Sequence, residues 1–423
     1  MKLLIWYRIV EGDFSDIFRQ IDYNTLYSDV SKNVNGVLNN TGNKVWFQGI
    51  VTEMMNTGNE VEFMHEGVTW DEINATYDAV IVSMANMFSK TYIEALKSCT
   101  KSLKKSKIPI YVISVGAQIS GNKECEELVH EIGYQVSEFV DVVYKSGGAI
   151  GLRGYVTKEF IDKCCHNEAE VIGCPSMYQM GRNLRIDNNK VSFEEFNYVI
   201  NGEIIWKNIK NIDKCMFIDQ NIFFEQLYNN NYWEIKDKKL LRQQILSFSK
   251  AHGALMTKLL INDKIKLFFD IPEWKDFLIN SDINYSIGTR IHGNVMGILA
   301  GIPISVCCRD DRVKEIAEYY SIHTISTSEI RNKSIYDIYL EADYSKFNKE
   351  FSSKYDQFEA FLRSCNLIKS HLKTSYSLWQ KPKPIELKNR DVIIRRLNEA
   401  CPRNVELLLA DLICKISSKY TWI

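Results

Sequence analysis

The stretch NYSIGTRIHGNVMGILAGIPISVC, residues 284–307, decides the fold of this chain. Its first residues, Asn284–Ile287, predict a short buried strand, and Gly288–Gly293 form the turn that follows. Asn294–Ala300 predicts an apolar helix, which a glycine ends before a proline and the next strand, Ile304–Cys307. A strand, a helix and a second strand in this order are typical of a parallel sheet covered by helices.

The same alternation fills the N-terminal part of the chain. Apolar runs predict buried strands at Lys2–Tyr7, Glu60–Met64, Ala79–Ser83, Ile110–Val115, Val140–Tyr144 and Glu170–Ile172. Segments of helical period lie between them at Val45–Asn56, Tyr92–Ser102, Lys123–Phe139 and Val156–Cys165. We therefore predict a doubly wound N-terminal α/β domain over residues 1–185.

A polar stretch at Arg182–Asn201 interrupts this pattern, after which it resumes. Further strands are predicted at Cys215–Ile218, Lys266–Phe269, Asn284–Ile287, Ile304–Cys307 and Thr324–Ile325, with a long helix near Lys238–Leu260. These elements predict a second, smaller α/β domain over residues 186–343. The remainder, residues 344–423, is predicted to be helical at Phe347–Ile368 and Asp391–Lys419.

Composition narrows the class of protein further. The 423 residues include 52 Lys and Arg against 53 Asp and Glu, so the net charge does not favour nucleic acid as a partner. Eleven cysteines without C-x-x-C spacing suggest buried thiols in a reducing compartment and no metal site. The short apolar run before Arg8 is too brief for a signal peptide, and no segment is long and apolar enough to span a bilayer. These features predict a cytoplasmic protein.

The turn in residues 288–293 is the candidate active site. It is predicted at the carboxyl end of a strand and the amino end of a helix, the edge at which open α/β sheets bind ligands. Gly288, Thr289 and Gly293 would shape the turn, whose free amides suit an anion. Arg290 adds a charged fork for carboxylate or phosphate, and His292 can exchange a proton near neutral pH. The alternative, a surface salt bridge and a helix-capping histidine, is weakened by the flanking glycines.

Arg153 is predicted at the matching place in the first domain. It follows the glycine-rich segment 147–152 and precedes the helix Val156–Cys165. Arg153 and Arg290, on the facing edges of two domains, could together bind one dianion. The alternative interpretation, an ion pair of Arg153 with Glu159 or Asp162, is equally compatible with the sequence.

A second tier of candidates lies near the same edges. Asp310 and Arg312 follow the strand that ends at residue 308, although Asp311 beside them is more typical of a helix cap. Gly42 and Asn43 begin the first long helix, where a ligand contact and a plain cap are both compatible with the sequence.

The sequence resembles the polysaccharide pyruvyl transferase family. The resemblance covers roughly residues 35–325 and rests on the following segments: Asn40–Asn43, Tyr77–Val82, Gly151–Gly154, Val171–Ser176, Ile287–Asn294, Gly301–Pro303 and Asp310–Arg312. The segment Ile287–Asn294 is the most specific of them. Two features depart from the family pattern: Ser83–Phe88 stands where many members have a pair of glycines, and Arg312 replaces a lysine seen in some members.

The resemblance implies two Rossmann-like domains that face a cleft, in a glycosyltransferase B-like architecture, with C-terminal helices added. It implies transfer of pyruvate from phosphoenolpyruvate to two hydroxyls of a glycan in a cell-surface polysaccharide precursor such as exopolysaccharide or capsule. The glycan is often linked to polyprenyl diphosphate. Donor-binding arginines of the family match Arg153 and Arg290, and its key histidine matches His292. We assign His292 as the general acid and expect phosphoenolpyruvate as a co-substrate, without a metal or other cofactor.

Two other functions stay open at this stage. A nucleotide-sugar glycosyltransferase of polysaccharide biosynthesis would use the same architecture, and a degenerate member would bind a glycan without turnover. The C-terminal segment has an apolar face, which either packs on the body of the protein, as we favour, or rests weakly on the inner face of the membrane. The acceptor sugar, the ketal stereochemistry and the oligomeric state are not encoded in any motif.

Overall fold

The described part of the chain contains two six-stranded sheets, and each strand pairing within them is parallel. The computed structural model describes residues 1–6, 41–55, 58–64, 67–119, 121–202, 212–220, 259, 264–268, 271–308 and 310–368. Two parallel sheets with helices confirm the predicted α/β fold class. The domain limits at residues 185 and 343 stay a prediction.

The first sheet has the strand order β2-β1-β3-β4-β5-β6. Its strands are β1 (Lys2–Trp6), β2 (Glu60–Phe63), β3 (Ala79–Ser83), β4 (Ile110–Val115), β5 (Ala149–Leu152) and β6 (Glu170–Val171). The central strands β3 and β4 are buried along their whole length, which explains why their sequences are continuous apolar runs without alternation.

The described helices that accompany this sheet are α1 (Thr41–Met55), α2 (Trp70–Thr76), α3 (Ile93–Leu103), α4 (Gly121–Lys145) and α5 (Tyr155–Cys164). The prediction of a strand at Val140–Tyr144 is wrong, because this run is the end of α4. Val136, Val140 and Val143 are buried at helical spacing, so the apolar run marks one helix face. The strand is instead β5, which lies in the glycine-rich segment 147–152 and was not predicted.

The second sheet has the order β12-β11-β10-β7-β8-β9. Its strands are β7 (Tyr198–Asn201), β8 (Cys215–Asp219), β9 (Ile265–Leu267), β10 (Tyr285–Gly288), β11 (Ile304–Cys307) and β12 (Thr324–Ile325). Strand β7 lies inside the polar stretch that we interpreted as a break in the pattern. It is nevertheless a central strand, paired with both β10 and β8.

The helices of the second half are α6 (Ile271–Asn280), α7 (Ile291–Leu299), α8 (Asp311–Tyr320), α9 (Thr327–Asn332), α10 (Ile335–Glu341) and α11 (Ser345–Ser364). The predicted helix at Phe347–Ile368 is confirmed as α11. The helices predicted at Lys238–Leu260 and Asp391–Lys419 lie outside the described residues. Short 3-10 turns occur at Lys90–Tyr92, Pro175–Met177 and Ile212–Lys214.

Side chains of α8 join the second sheet to the first. The Tyr320 hydroxyl donates to the carbonyl oxygen of Cys174 at 3.1 Å and accepts from the Cys174 amide at 2.8 Å. The Glu315 carboxylate accepts from the backbone amide and the hydroxyl of Thr157, at 2.6 and 3.0 Å, in the first turn of α5. Gly154 makes room for this contact, because a Cβ there would lie 2.3 Å from Cγ of Glu315. These contacts hold together the two sheet edges that carry the candidate site residues.

Candidate active site

Helix α7 begins at Ile291, three residues earlier than predicted, with Arg290 at its N-cap position. The Arg290 amide donates to the carbonyl oxygen of Asn201 at 3.1 Å, which ties the turn to β7. The carbonyl of Arg290 then accepts the amide of Asn294 at 3.2 Å and closes the first helical turn. His292 therefore lies in the first turn of the helix, where amide groups lack intrahelical acceptors.

Asn294 fixes the conformation of this turn. The side chain is fully buried, and its Nδ2 donates to the carbonyl oxygens of Gly288 and Arg290, both at 3.1 Å. Its Oδ1 accepts from the Ser286 hydroxyl at 2.9 Å. One side chain thus connects the end of β10, the turn and the start of α7.

Gly288 and Gly293 are needed because other groups fill the space of a side chain. A Cβ on Gly288 would lie 1.9 Å from the carbonyl oxygen of Asn201. A Cβ on Gly293 would lie 2.3 Å from Nε2 of Gln220 and 2.5 Å from Oδ1 of Asn201. The two predicted glycine positions therefore shape the edge of the sheet from which Arg290 and His292 project.

Arg153 lies directly after β5 and is buried, with 3% of its surface exposed. Its Nη1 donates to Oδ1 of Asn86, whereas Nε and Nη2 are buried and have no acceptor within the described part of the chain. Burial lowers the pKa of Arg153, since desolvation disfavours the charged form.

The alternative interpretation of Arg153 as a helix-surface ion pair is wrong. Glu159 pairs with Lys163 at 2.9 Å, and Asp162 pairs with Lys158. Both acids are engaged one helical turn along α5, so neither forms an ion pair with the buried guanidinium.

His292 meets the first sheet at a thiol. Its Nε2 lies 3.8 Å from Sγ of Cys174, and that sulfur lies 3.0 Å from Oγ of Ser176. Desolvation of the ring, with a further contribution from the nearby charge of Arg153, lowers the pKa of His292 to about 3. The imidazole is therefore neutral near pH 7 in the ligand-free protein.

The structure brings Arg153 and His292 together, and it places Arg290 and Thr289 at the partly exposed mouth of the same turn. A Cβ on Gly202 would lie 2.5 Å from Cγ of Arg290 and 2.7 Å from Oγ1 of Thr289. The side chains of both residues therefore pack over the end of β7.

The second-tier candidates have evident structural roles. Oδ1 of Asp310, the N-cap residue of α8, accepts the amide of Val313 at 3.1 Å, so the cap is Asp310 instead of the neighbouring Asp311. Its Oδ2 pairs with Nη2 of Arg312 at 2.7 Å. Gly42 is buried in the first turn of α1, and the side chain of Asn43 lies outside the described structure.

Three residues of the site escaped the sequence analysis as individual candidates: Asn86, Cys174 and Asn294. Asn86 and Asn294 each carried a signal, since each is a lone amide in an otherwise apolar segment that begins at the end of a strand. A buried amide in such a place needs hydrogen-bond partners and therefore marks an organised loop. Cys174 carried no signal beyond its position before a proline.

The fold and the candidate site define a two-sheet α/β protein in which a buried arginine, with two nitrogens that lack acceptors in the described residues, lies near a neutral histidine. The sequence model of the polysaccharide pyruvyl transferase family matches residues 3–307, and the chain belongs to that family. It is therefore a transferase, as predicted. No curated protein matches the sequence significantly.

Solved structures with a similar chain course include two bacterial proteins. One is assigned as a UDP-N-acetylglucosamine 2-epimerase from Listeria monocytogenes, with 9% identity and a TM-score of 0.35 over 88% of this chain and 98% of that chain. The other is S. aureus MnaA with UDP, with 11% identity and a TM-score of 0.38 over the same shares, 88% and 98%. Because both scores are low, the fold assignment rests on the two sheets themselves.

Among the residues that the structure describes, no helix is both long and apolar enough to cross a membrane. Over the same ranges, no three His, Cys, Asp or Glu side chains are grouped in a way that could hold a metal ion.

Proposed function

We propose that this transferase moves pyruvate from phosphoenolpyruvate to two hydroxyls of a sugar in a polysaccharide precursor and releases phosphate. The observation that carries the proposal is that Nε and Nη2 of buried Arg153, near His292, have no acceptor among the described residues. A buried cation costs several kcal/mol unless a counter-ion compensates it. A small, highly charged anion such as phosphoenolpyruvate is that counter-ion.

The donor would be held from both sheets. Nε and Nη2 of Arg153 form one edge of the guanidinium, which matches two oxygens of a carboxylate or phosphate. Arg290 and the first-turn amides of α7 then bind the second anionic group of the donor. Two-point attachment fixes the orientation of the enol carbon relative to His292.

His292 would deliver the proton that starts the reaction. The imidazole is neutral in the free protein, but a bound trianion favours its charged form and raises its pKa. Protonation of the methylene carbon C3 makes C2 electrophilic. One sugar hydroxyl then bonds to C2, the C2–O bond to phosphate breaks, and the second hydroxyl closes the ketal. One hydroxyl proton leaves with phosphate, and the other returns to His292.

The acceptor in this proposal is a glycan of a cell-surface polysaccharide precursor, and attachment of that glycan to polyprenyl diphosphate is the form we expect. The chemistry uses the co-substrate and the side chains of this chain without a further cofactor. Neighbouring hydroxyls are required, because a single hydroxyl cannot form a cyclic ketal.

A thermal-shift comparison tests the donor. A ligand that binds the native state raises the melting temperature by an amount set by its concentration relative to its Kd. We expect phosphoenolpyruvate to stabilise the full-length protein, and UDP-sugars and other nucleotide sugars to have no effect. Stabilisation by a nucleotide sugar alone would overturn the proposal in favour of a glycosyltransferase.

A further inference from the structure

We infer that Asn86 is a positioning residue for donor binding, which aims the Nε–Nη2 edge of Arg153 at the donor and leaves the charge of the guanidinium intact. This inference rests on the proposed function. Its basis is the single hydrogen bond that Arg153 makes through its side chain in the described structure, from Nη1 to Oδ1 of Asn86. That bond joins residues 67 positions apart.

The backbone around Asn86 is fixed on both sides. The amide of Gly116 donates to the carbonyl of Ala85 at 2.9 Å, and the amide of Gln118 donates to the carbonyl of Phe88 at 3.0 Å. These bonds extend the pairing of β3 with β4 beyond the strands. The backbone of residues 85–88 is therefore held in place beside Arg153.

Gly116 lies beside the guanidinium of Arg153. A Cβ on Gly116 would lie 3.4 Å from Nη1 of Arg153, at ordinary van der Waals distance. The amide of Arg153 donates to the carbonyl of Val115 at 3.0 Å, so the same strand end holds the arginine backbone. The Asn86 side chain and the guanidinium thus meet beside the backbone of Val115 and Gly116, and the Nη1 bond sets the direction of the Nε–Nη2 edge.

The neutral charge of the Asn86 side chain, which accepts the hydrogen bond from Arg153, matters as much as its position. Two acids act on Arg153 electrostatically, but the carboxylate of Glu315 accepts from Thr157, and that of Asp310 pairs with Arg312. The neutral amide of Asn86 orients the guanidinium without neutralising it. A carboxylate at this position would form an internal ion pair and compete with the anionic donor.

The test compares Asn86→Asp, Asn86→Ala and a control, Asn332→Asp, which adds the same charge at an exposed residue of α9. Calorimetric titration with phosphoenolpyruvate and with inorganic phosphate measures binding, and thermal melting measures the ligand-free protein. For Asn86→Asp, we expect a raised melting temperature and anion binding weakened at least about tenfold, since the internal carboxylate replaces the ligand. Asn86→Ala should weaken binding less and give no rise in melting temperature.

A purely structural role for Asn86 makes the opposite prediction. The isosteric Asp variant would then bind both anions as the wild type does, and that result overturns the inference. If Asn86→Asp fails to fold, unchanged phosphoenolpyruvate affinity in Asn86→Ala overturns it equally. In steady-state kinetics, the expected effect of Asn86→Ala is a raised KM for the donor with kcat nearly retained.

The proposed function fails by a different result. If the wild-type protein binds neither phosphoenolpyruvate nor phosphate, the donor assignment falls and the inference about Asn86 falls with it. If the wild type binds both and the Asn86 variants bind equally well, only the inference about Asn86 is overturned.

Discussion

Replacing Arg153 with methionine should stabilise the ligand-free protein while abolishing donor binding. Arg153 is 3% exposed, its Nη1 donates one side-chain hydrogen bond, and its buried Nε and Nη2 atoms have no acceptor in the described structure. Its desolvation costs several kcal/mol. The bond to Asn86 returns only about 1.5–3 kcal/mol.

The net effect of Arg153→Met on the free energy of unfolding is therefore a gain of about 1–3 kcal/mol, from the difference between these two contributions. Donor binding moves in the opposite direction. Two charge-assisted hydrogen bonds are lost at about 1.5–3 kcal/mol each, which corresponds to roughly 10²–10⁴-fold weaker affinity. Stability and affinity thus change with opposite signs in one variant.

Differential scanning calorimetry with and without phosphoenolpyruvate checks both effects in one experiment. The wild type should melt higher with the donor, and the variant should melt higher without it and show no further shift on addition. Arg153→Lys is the control, because it keeps the charge and loses the fork. A variant that is less stable than the wild type and still stabilised by phosphoenolpyruvate would refute the reasoning about the buried charge.

Three further variants probe other parts of the site. For His292→Gln, we expect kcat to fall about 10²–10⁴-fold, and a kcat within tenfold of the wild type contradicts the assignment. In the wild type, donor binding should take up a proton and become tighter as the pH falls toward the lowered pKa of the free histidine. The variant should lose this proton uptake, which titration calorimetry in two buffers measures. Asn294→Ala should lower the free energy of unfolding by about 2–4 kcal/mol and also lower kcat. The control Asn348→Ala removes two hydrogen bonds to the backbone of Ile186, away from the turn, and should lower stability alone. Equal kcat values in the two variants would contradict the role of the turn. Gly173→Ala should lower the free energy of unfolding by more than about 3 kcal/mol in urea melts, because φ is 75° and the Cβ would lie 2.2 Å from the hydroxyl oxygen of Tyr320. Gly58→Ala is the control, since φ is 79° and the Cβ would lie in open space, and it should cost only about 1 kcal/mol. Similar losses in the two variants would argue against the clash.

Much of the fold could be predicted because buried parallel strands have continuous apolar sequences. Strands β3, β4 and β11 have the predicted bounds for this reason. The errors occurred where an apolar run is short, since four or five apolar residues fit a buried strand and a helix face equally well. The strand predicted at Val140–Tyr144 was wrong for that reason, and β7 was missed because Asn197 precedes it and Asn201 ends it, which leaves only three apolar residues.

The site could be predicted only in part, because its contacts join distant positions. The turn with Arg290 and His292 is contiguous in sequence, and its glycines and charges identify it. Contact between His292 and Cys174 spans 118 positions, and no local pattern encodes such a pairing. A single sequence therefore shows which residues have suitable chemistry, whereas the fold decides which of them meet.

Cys174 joins the two halves of the candidate site in the ligand-free protein. Its thiol contacts His292, while its backbone amide and carbonyl are both bonded to the Tyr320 hydroxyl of α8. Glu315 of α8 also accepts hydrogen bonds from Thr157 of α5, just beyond Arg153. Arg153 and His292 therefore lie on elements that direct contacts already hold together. On the proposed function, this arrangement would lower the cost of orienting these groups when the donor binds.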